Sequence, residues 1–435
     1  MKTLACCWLE LSLLLVPLCG LGCGSTTRAH ETDSGNTNWL QACATDADCG
    51  DLSCYCEVCQ TKCEGVLVCS LEPGKACTGA PGAGTAGTPK KLLEHVDPNS
   101  YGRDFALQSD GSSVIVGGTD FMLFDLTPTY PTFWLTKLDA MGTPQWEHSE
   151  PSPDQSNSPG LSVAVSSSGE IVTVSTQYDG MDTPILRRFA QDGTLVDNSS
   201  SAPGFTRLRA APDGDLFAAG GRFIEDRAGR PFVSAWVGRL GGPDVVWEQA
   251  REGSDGSISG ISSIDADEVG NLVVAGGLGV SAQDNASTPW LARLDQSGQL
   301  LWEHSVVVDE LAACTGNLAV LTPAGDSLAA IACPHQAVRA YSSEGSLLWE
   351  RRFPRPVTAL LALSDGGYVV ALGDLSAKSE PTDATLQRFD ARHELVWQVD
   401  QPGCQVFERL APTEHGVLAL AGCQPGYVLT EYADP

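Results

Sequence analysis

The strongest constraint on the fold is a segment that the chain repeats. Residues 293–304 read Arg-Leu-Asp-Gln-Ser-Gly-Gln-Leu-Leu-Trp-Glu-His, and degenerate copies recur about every fifty residues from Lys137 to the end. Each copy consists of short apolar runs separated by a Gly-containing turn. Repeats of this length built from short strands are typical of β-propellers, in which each repeat forms one blade. We therefore predict an all-β fold.

Two signatures alternate from residue 90 onward, and together they predict four antiparallel strands per blade. The first signature, two apolar strands around a turn, occurs seven times, with the turns at Gly111, Gly169, Gly214, Gly270, Gly325, Gly366 and Gly416. The second, which ends in Leu-Leu-Trp-Glu or in a degenerate form of it, occurs six times, with the turns at Gly142, Gly193, Gly242, Gly298, Gly345 and His393. The chain ends in a third strand, residues 428–434, with no fourth strand after it.

The missing strand is predicted at the other end of the repeats. Leu92-Leu93-Glu94-His95 matches Leu300-Leu301-Trp302-Glu303-His304 apart from the Trp. Residues 90–97 should therefore form the outermost strand of the last blade, and this closure removes exposed sheet edges. The prediction for residues 90–435 is a seven-bladed β-propeller closed by an N-terminal strand.

Residues that recur at one position of the repeat are predicted to serve packing. They are the tryptophans of the fourth strand (Trp146, Trp247, Trp302, Trp349, Trp397), the basic residues of the third strand (Lys137, Arg188, Arg239, Arg293, Arg388) and three histidines (His95, His148, His304). Equivalent positions in different blades lie far apart, so we do not expect the histidines to form a site. The basic residues are expected to bond nearby carbonyls or acids; a basic ring for a ligand is the alternative.

The charge balance restricts the partners. The chain has 54 Asp and Glu against 26 Lys and Arg, a net charge of −28. Such a surface repels nucleic-acid phosphates and anionic lipid headgroups. We expect a monomer that binds no nucleic acid and contacts a membrane only through a lipid anchor.

The N-terminus indicates export. Residues 1–22 combine Lys2 with an apolar run too short to span a bilayer, as in a signal peptide. The ending Gly22-Cys23 resembles a bacterial lipoprotein signal, which implies lipidation of Cys23; an ordinary cleaved signal is the alternative. Gly24, rather than Asp, after that cysteine implies the outer membrane, with the periplasmic or surface leaflet left open.

A polar tether, residues 23–42, precedes a small cysteine-rich module at residues 43–77. Its cysteines are Cys43, Cys49, Cys54, Cys56, Cys59, Cys63, Cys69 and Cys77. A segment this short cannot bury a sufficient core, so covalent staples are expected. Four disulfides are favoured over a zinc site because the paired motifs of zinc ribbons are missing and export favours oxidation. The 105 possible pairings stay open. Residues 78–89, rich in Gly, Ala, Thr and Pro, form a linker.

Two further cysteine pairs support the blade register. Cys314 and Cys333 flank the first hairpin of blade five, and Cys404 and Cys423 flank that of blade seven, with equal spacing. We predict the disulfides Cys314–Cys333 and Cys404–Cys423.

Two stretches of blade four carry a family resemblance. Residues 263–276, Ser-Ile-Asp-Ala-Asp-Glu-Val-Gly-Asn-Leu-Val-Val-Ala-Gly, followed by Leu-Ala-Arg-Leu-Asp-Gln-Ser-Gly-Gln-Leu-Leu-Trp at 291–302, resemble the bacterial SBBP-type β-propeller repeat. They are also similar to quinoprotein-like repeats, but the Thr-Gly that usually precedes the Leu-Trp-Glu ending is absent. The resemblance therefore implies no quinone, and no cofactor is predicted.

Catalytic motifs are scarce, and we predict no catalytic residue and no metal ligand. The sequence lacks HExxH, GxSxG and Walker motifs. Long connections between second and third strands cluster on one face, where Phe121, Phe124 and Tyr130 form the candidate binding surface. The predicted function is an envelope lipoprotein that binds a protein or glycan. The alternatives are an envelope-assembly scaffold, or a lyase or glycoside hydrolase acting at the axial mouth.

Overall fold

A computed structural model describes most of the repeat region. The described residues are 53–55, 58–60, 89–95, 101–119, 132–150, 157–178, 182–200, 204–225, 231–242, 244–253, 259–279, 287–305, 317–331, 336–373, 383–423 and 426–434. The chain divides into two compact units, Met1–Lys62 with Cys69–Ala76, and Cys63–Val68 with Cys77–Pro435.

The described part of the first unit is one antiparallel pair, β1 (Ser53–Tyr55) and β2 (Val58–Gln60), with Cys54 opposite Cys59. The predicted disulfides of residues 43–77 and the lipidation of Cys23 lie outside the residues whose side chains are described. The boundaries at residues 22, 42, 77 and 89 stay predictions.

Seven four-stranded antiparallel sheets, the predicted blades, make up the second unit. Blade one is β4 (Tyr101–Leu107), β5 (Ser113–Thr119), β6 (Thr132–Leu138) and β7 (Pro144–Glu150). Blade two is β8 (Asn157–Val165), β9 (Ile171–Tyr178), β10 (Asp182–Phe189) and β11 (Leu195–Ser200). Blade three is β12 (Gly204–Ala210), β13 (Leu216–Glu225), β14 (Pro231–Gly241) and β15 (Asp244–Arg251). Blade four is β16 (Gly260–Ala266), β17 (Leu272–Gly279), β18 (Ser287–Leu294) and β19 (Leu300–Ser305).

The last three blades complete the ring. Blade five is β20 (Leu318–Leu321), β21 (Ser327–Ile331), β22 (Ala337–Tyr341) and β23 (Leu347–Arg352). Blade six is β24 (Val357–Ala362), β25 (Tyr368–Leu372), β26 (Ala384–Phe389) and β27 (Leu395–Gln401). Blade seven is β28 (Cys404–Thr413), β29 (Gly416–Cys423), β30 (Tyr427–Ala433) and β3 (Pro89–His95). The first strand of each blade contacts that of the next, and β28 contacts β4.

The closure by an N-terminal strand is confirmed, since β3 pairs with β30. Its register differs from the sequence match. In blades four and one, His304 and His148 lie opposite the third-strand residues Leu291 and Leu135. The equivalent third-strand residue of blade seven is Leu429, and it lies opposite Leu93. His95 lies opposite Tyr427 instead. The predicted equivalence of His95 with the other two histidines is therefore wrong.

A charge pair accompanies the shifted register of β3. Glu431 occupies the third-strand position that Arg293 holds in blade four, and Lys90 lies opposite Glu431. Lys90 Nζ is 3.8 Å from Glu431 Oε2, so blade seven carries the opposite charge at this position together with a matching cation. The register suggested by the Leu-Leu-x-Glu-His match would separate these two charges.

The tryptophans of the fourth strands join neighbouring blades. Trp247 Nε1 in blade three donates to the Gln296 carbonyl in the β18–β19 turn of blade four, at 3.2 Å. Trp146 and Trp302 make the same bond to Gln191 and Ser343, at 2.9 and 3.0 Å. The glycine of each contacted turn lies under the indole ring, so the repeated Trp and the repeated Gly form one joint.

The basic residues of the third strands also serve structure, as predicted. Arg188 bonds Glu170 at 2.6 Å, and Arg388 bonds Asp365 at 2.6 Å, in both cases at the first turn of the same blade. Arg239 pairs with Asp215 at 2.9 Å. These buried or half-buried pairs tie the outer half of a blade to its inner half. The basic-ring alternative is not needed to explain them.

The structure contains the predicted disulfide Cys404–Cys423, which joins β28 to β29. Cys314 and Cys333 lie outside the described residues, and their pairing stays a prediction.

Candidate functional site: the axial channel

Apart from a second shift near the start of β8 and of β28, the first strands of six blades share a register shift that inserts one extra residue into the innermost strand. The extra residues are Arg103, Leu161, Thr206, Ser262, Thr358 and Glu408. Such bulges re-aim side chains and are common beside functional sites. Here they occur at the innermost strands, whose side chains border the channel.

All seven blades line a cavity of about 230 Å³ on this axis. Its charged residues are Arg103, Asp104, Arg207, Arg209, Glu408 and Arg409. Ser262, Asn317 and Thr358 supply polar groups from blades four to six. An acidic protein therefore concentrates four arginines in one internal space.

Three of these arginines lie near a carboxylate. Arg209 Nε is 3.1 Å from Asp265 Oδ1, and Arg409 Nε is 3.5 Å from Asp104 Oδ1. Arg103 Nη1 lies 3.8 Å from Glu408 Oε2. Only the first distance falls in the ordinary hydrogen-bond range. The other two contacts are loose ion pairs.

Asp104 is the most constrained acid of the channel. Its Oδ2 accepts from Ser162 Oγ at 2.6 Å and from the Val163 amide at 3.1 Å, which links blade one to blade two. Burial raises the pKa of Asp104 despite these bonds, and burial also raises the pKa of Glu408. Burial, followed by repulsion from Arg103, lowers the pKa of Arg207. The channel thus holds charges in a poorly solvated space.

The channel widens toward one mouth. A second cavity of about 440 Å³ shares Arg209 and Arg409 with the first, and it leads to a mouth cavity of about 540 Å³. The mouth is lined by first-hairpin turns of four consecutive blades and by Gln191; its polar lining includes Gln108, Ser109, Asp110, Ser166, Ser167, Asp267 and Glu268.

The predicted binding residues Phe121, Phe124 and Tyr130 lie outside the described residues. In the sequence they fall between β5 and β6. Sequence reasoning missed the channel residues, although a signal exists. Arg103-Asp104, Arg207-x-Arg209 and Glu408-Arg409 place charges within otherwise apolar first strands.

Asp265 and Asp267, whose Asp-x-Asp-x-x-Gly-Asn spacing in blade four resembles part of a calcium-binding loop, have protein partners. Asp267 Oδ1 accepts from the Val269 and Asn271 amides at 3.1 and 2.8 Å, while Asp265 faces Arg209. Within the described ranges, no group of three or more metal-ligating side chains occurs. No helix in the described part of the chain is long and apolar enough to cross a membrane.

The closed ring and its axial channel define the class of this protein as a seven-bladed β-propeller. The family model described as outer membrane protein assembly factor BamB matches residues 287–430, from β18 into β30. No curated protein matches the chain.

The solved structures that are similar to the chain include the following two. BamB from Moraxella catarrhalis has 13% identity and a TM-score of 0.42, with 76% of this chain and 82% of that chain covered. A protein of unknown function from Bacteroides caccae has 16% identity and a TM-score of 0.41, with 67% and 94% covered.

Proposed function

We propose that this protein is a non-catalytic binding scaffold of the bacterial envelope that recognises a protein or a glycan. The observation that carries the proposal is the 540 Å³ mouth, to which four consecutive blades contribute turns. A closed ring holds these turns in fixed relative positions, and rigid scaffolds commonly present binding residues on such connections.

The chemistry of the mouth suits neutral polar ligands. Serine hydroxyls, glutamine amides and the carboxylates of Asp110, Asp267 and Glu268 supply hydrogen-bond donors and acceptors for a peptide backbone or for sugar hydroxyls. The acidic residues disfavour nucleic acids. The aromatic residues Phe121, Phe124 and Tyr130 remain a proposed second surface on the other face.

A second candidate is a scaffold for outer-membrane protein assembly. The match of residues 287–430 to the BamB family model supports it. Lipidation of Cys23 and retention at the outer membrane complete this proposal, because a lipid anchor would hold the propeller beside the membrane.

The test is capture from envelope extract by the full chain carrying Cys23→Ser, which removes the lipid. We expect a specific envelope protein or glycan to be retained, and Glu268→Arg in the mouth to abolish retention. Glu414→Arg is the matched control, since Glu414 belongs to the first-hairpin turn of blade seven and does not line the mouth. Absence of any partner, together with turnover of a glycan panel, would refute the binding proposal and favour the enzyme alternative.

A further inference from the structure

Arg207 differs from the other channel arginines because it has no carboxylate partner among the described residues. Its Nε donates to the Ser262 carbonyl at 2.8 Å, and its Nη1 donates to the Thr206 carbonyl at 2.9 Å. Its Nη2 makes no hydrogen bond within the described ranges, and no carboxylate there lies within 4.0 Å. The direct hydrogen-bond partners of this half-buried cation are therefore both neutral carbonyls, and the carboxylates of Asp104 and Glu408 act on it only from a longer distance.

The surroundings of Arg207 are unfavourable for its charge. Burial and the nearby cation of Arg103 lower the pKa of Arg207 and outweigh the opposite effect of the Asp104 and Glu408 carboxylates. An arginine guanidinium does not release its proton in a protein, so a lowered pKa cannot relieve the charge. An anion bound beside Arg207 would relieve it.

Further donors are available in the same cavity. Arg103 and Arg409 meet carboxylates only at 3.8 and 3.5 Å, longer than an N–H···O hydrogen bond. Neither guanidinium makes a hydrogen bond to another described residue. The guanidinium groups of Arg207, Arg103 and Arg409 thus border one cavity with N–H donors available. A guanidinium can donate two parallel hydrogen bonds to one carboxylate.

The acids of the cavity restrict the anion. Asp104 and Glu408 would repel a polyanion, but they can accept hydrogen bonds from hydroxyl groups. Ser262 and Thr358 add hydroxyls on the side of blades four and six. The volume of about 230 Å³ holds a ligand of several heavy atoms, given about 30 Å³ for one liquid water.

From these contacts we infer that the axial cavity binds a small hydroxylated monocarboxylate, such as a sugar acid, with its carboxylate between Arg207 and Arg103 and its hydroxyls toward Asp104 and Glu408. This site is separate from the mouth, so its occupancy does not depend on the proposed protein or glycan partner.

Isothermal titration calorimetry with the full chain tests the site, with D-glucuronate as the probe and D-glucose and inorganic phosphate as comparisons. We expect binding of glucuronate and none of glucose. Arg207→Met should weaken binding at least about tenfold, because it removes a charge-assisted bond. Arg207→Lys keeps the positive charge but lacks the planar guanidinium, and it should give a smaller loss of affinity.

Arg239→Met is the matched control, since Arg239 pairs with Asp215 in a third strand away from the cavity. It should leave the affinity unchanged while lowering thermal stability. If Arg207→Met fails to fold, Arg103→Met takes its place and should also weaken binding. The inference is overturned if glucuronate gives no binding to the wild type, if phosphate binds equally well, or if both cavity variants bind like the wild type.

Discussion

The joint between the fourth-strand tryptophans and the third-hairpin glycines allows a controlled test of how neighbouring blades hold together. Gly298 and Gly242 occupy equivalent turns of blades four and three, and both have left-handed backbone, with φ of 82° and 69°. A Cβ at Gly298 would lie 2.6 Å from Trp247 Cδ2, whereas a Cβ at Gly242 would meet nothing within 4 Å. The difference arises because β11 of blade two, Leu-Val-Asp-Asn-Ser-Ser, has no Trp.

The two alanine variants should therefore differ by the cost of the indole contact. Gly242→Ala should lower the free energy of unfolding by about 1–2 kcal/mol, the cost of left-handed backbone for a residue with a Cβ. Gly298→Ala carries the same cost and also overpacks the joint, which adds about 1–3 kcal/mol. Its expected loss is about 2–5 kcal/mol.

Equilibrium urea denaturation measures the loss of unfolding free energy in both variants, provided that the m-value, the slope of this free energy against urea concentration, stays constant. Adding Trp247→Leu to Gly298→Ala should recover part of the loss, so that the double-variant cycle shows coupling of about 1 kcal/mol or more. Equal losses for the two alanine variants, or strictly additive effects of Trp247→Leu and Gly298→Ala, would refute the proposed joint.

Three further predictions follow from charges and a crosslink. Burial raises the pKa of Glu408, so ionisation of this side chain opposes folding above its ordinary pKa of about 4.5. Glu408→Gln should therefore raise the free energy of unfolding at pH 7 and leave it unchanged below about pH 4. A reversed pH trend would contradict this expectation. Replacing Cys404 and Cys423 by Ser should cost about 2–4 kcal/mol in urea denaturation under oxidising conditions, and no loss would contradict the constraint. Lys90→Glu should cost only about 0.2–1 kcal/mol, recovered by Glu431→Lys, because the Lys90 side chain is 54% exposed.

The blades were predictable because their signals are local and repeated. A turn glycine, an apolar strand and an ending related to Leu-Leu-Trp-Glu each lie within one short segment, so seven copies of the first signature and six of the second reinforce one another. The register of β3 was not predictable from the same match. It places Lys90 beside Glu431, and these two residues lie at opposite ends of the repeat region and meet only after the ring closes.

The channel could not be derived from the sequence for a related reason. It is assembled from segments of seven blades, and bulges change which side chains border the axis. The charges in the first strands were visible, but nothing local indicates that Arg103, Arg207 and Glu408 share one cavity. Only the closed ring brings them together.

The distribution of arginines over the blades distinguishes structural arginines from candidate binding arginines better than the residue type alone does. The arginines of the third strands recur from blade to blade and each has an acidic or carbonyl partner, as expected of residues that support every blade. The channel arginines occur only in blades one, three and seven, while blades five and six contribute Asn317, Leu318, Val357 and Thr358. A residue that serves only packing in a ring of similar blades would be expected at the same position in every blade. An asymmetric set, in which Arg207 has no carboxylate within 4.0 Å among the described residues, makes the two sides of the channel chemically different, and an asymmetric ligand requires such a difference.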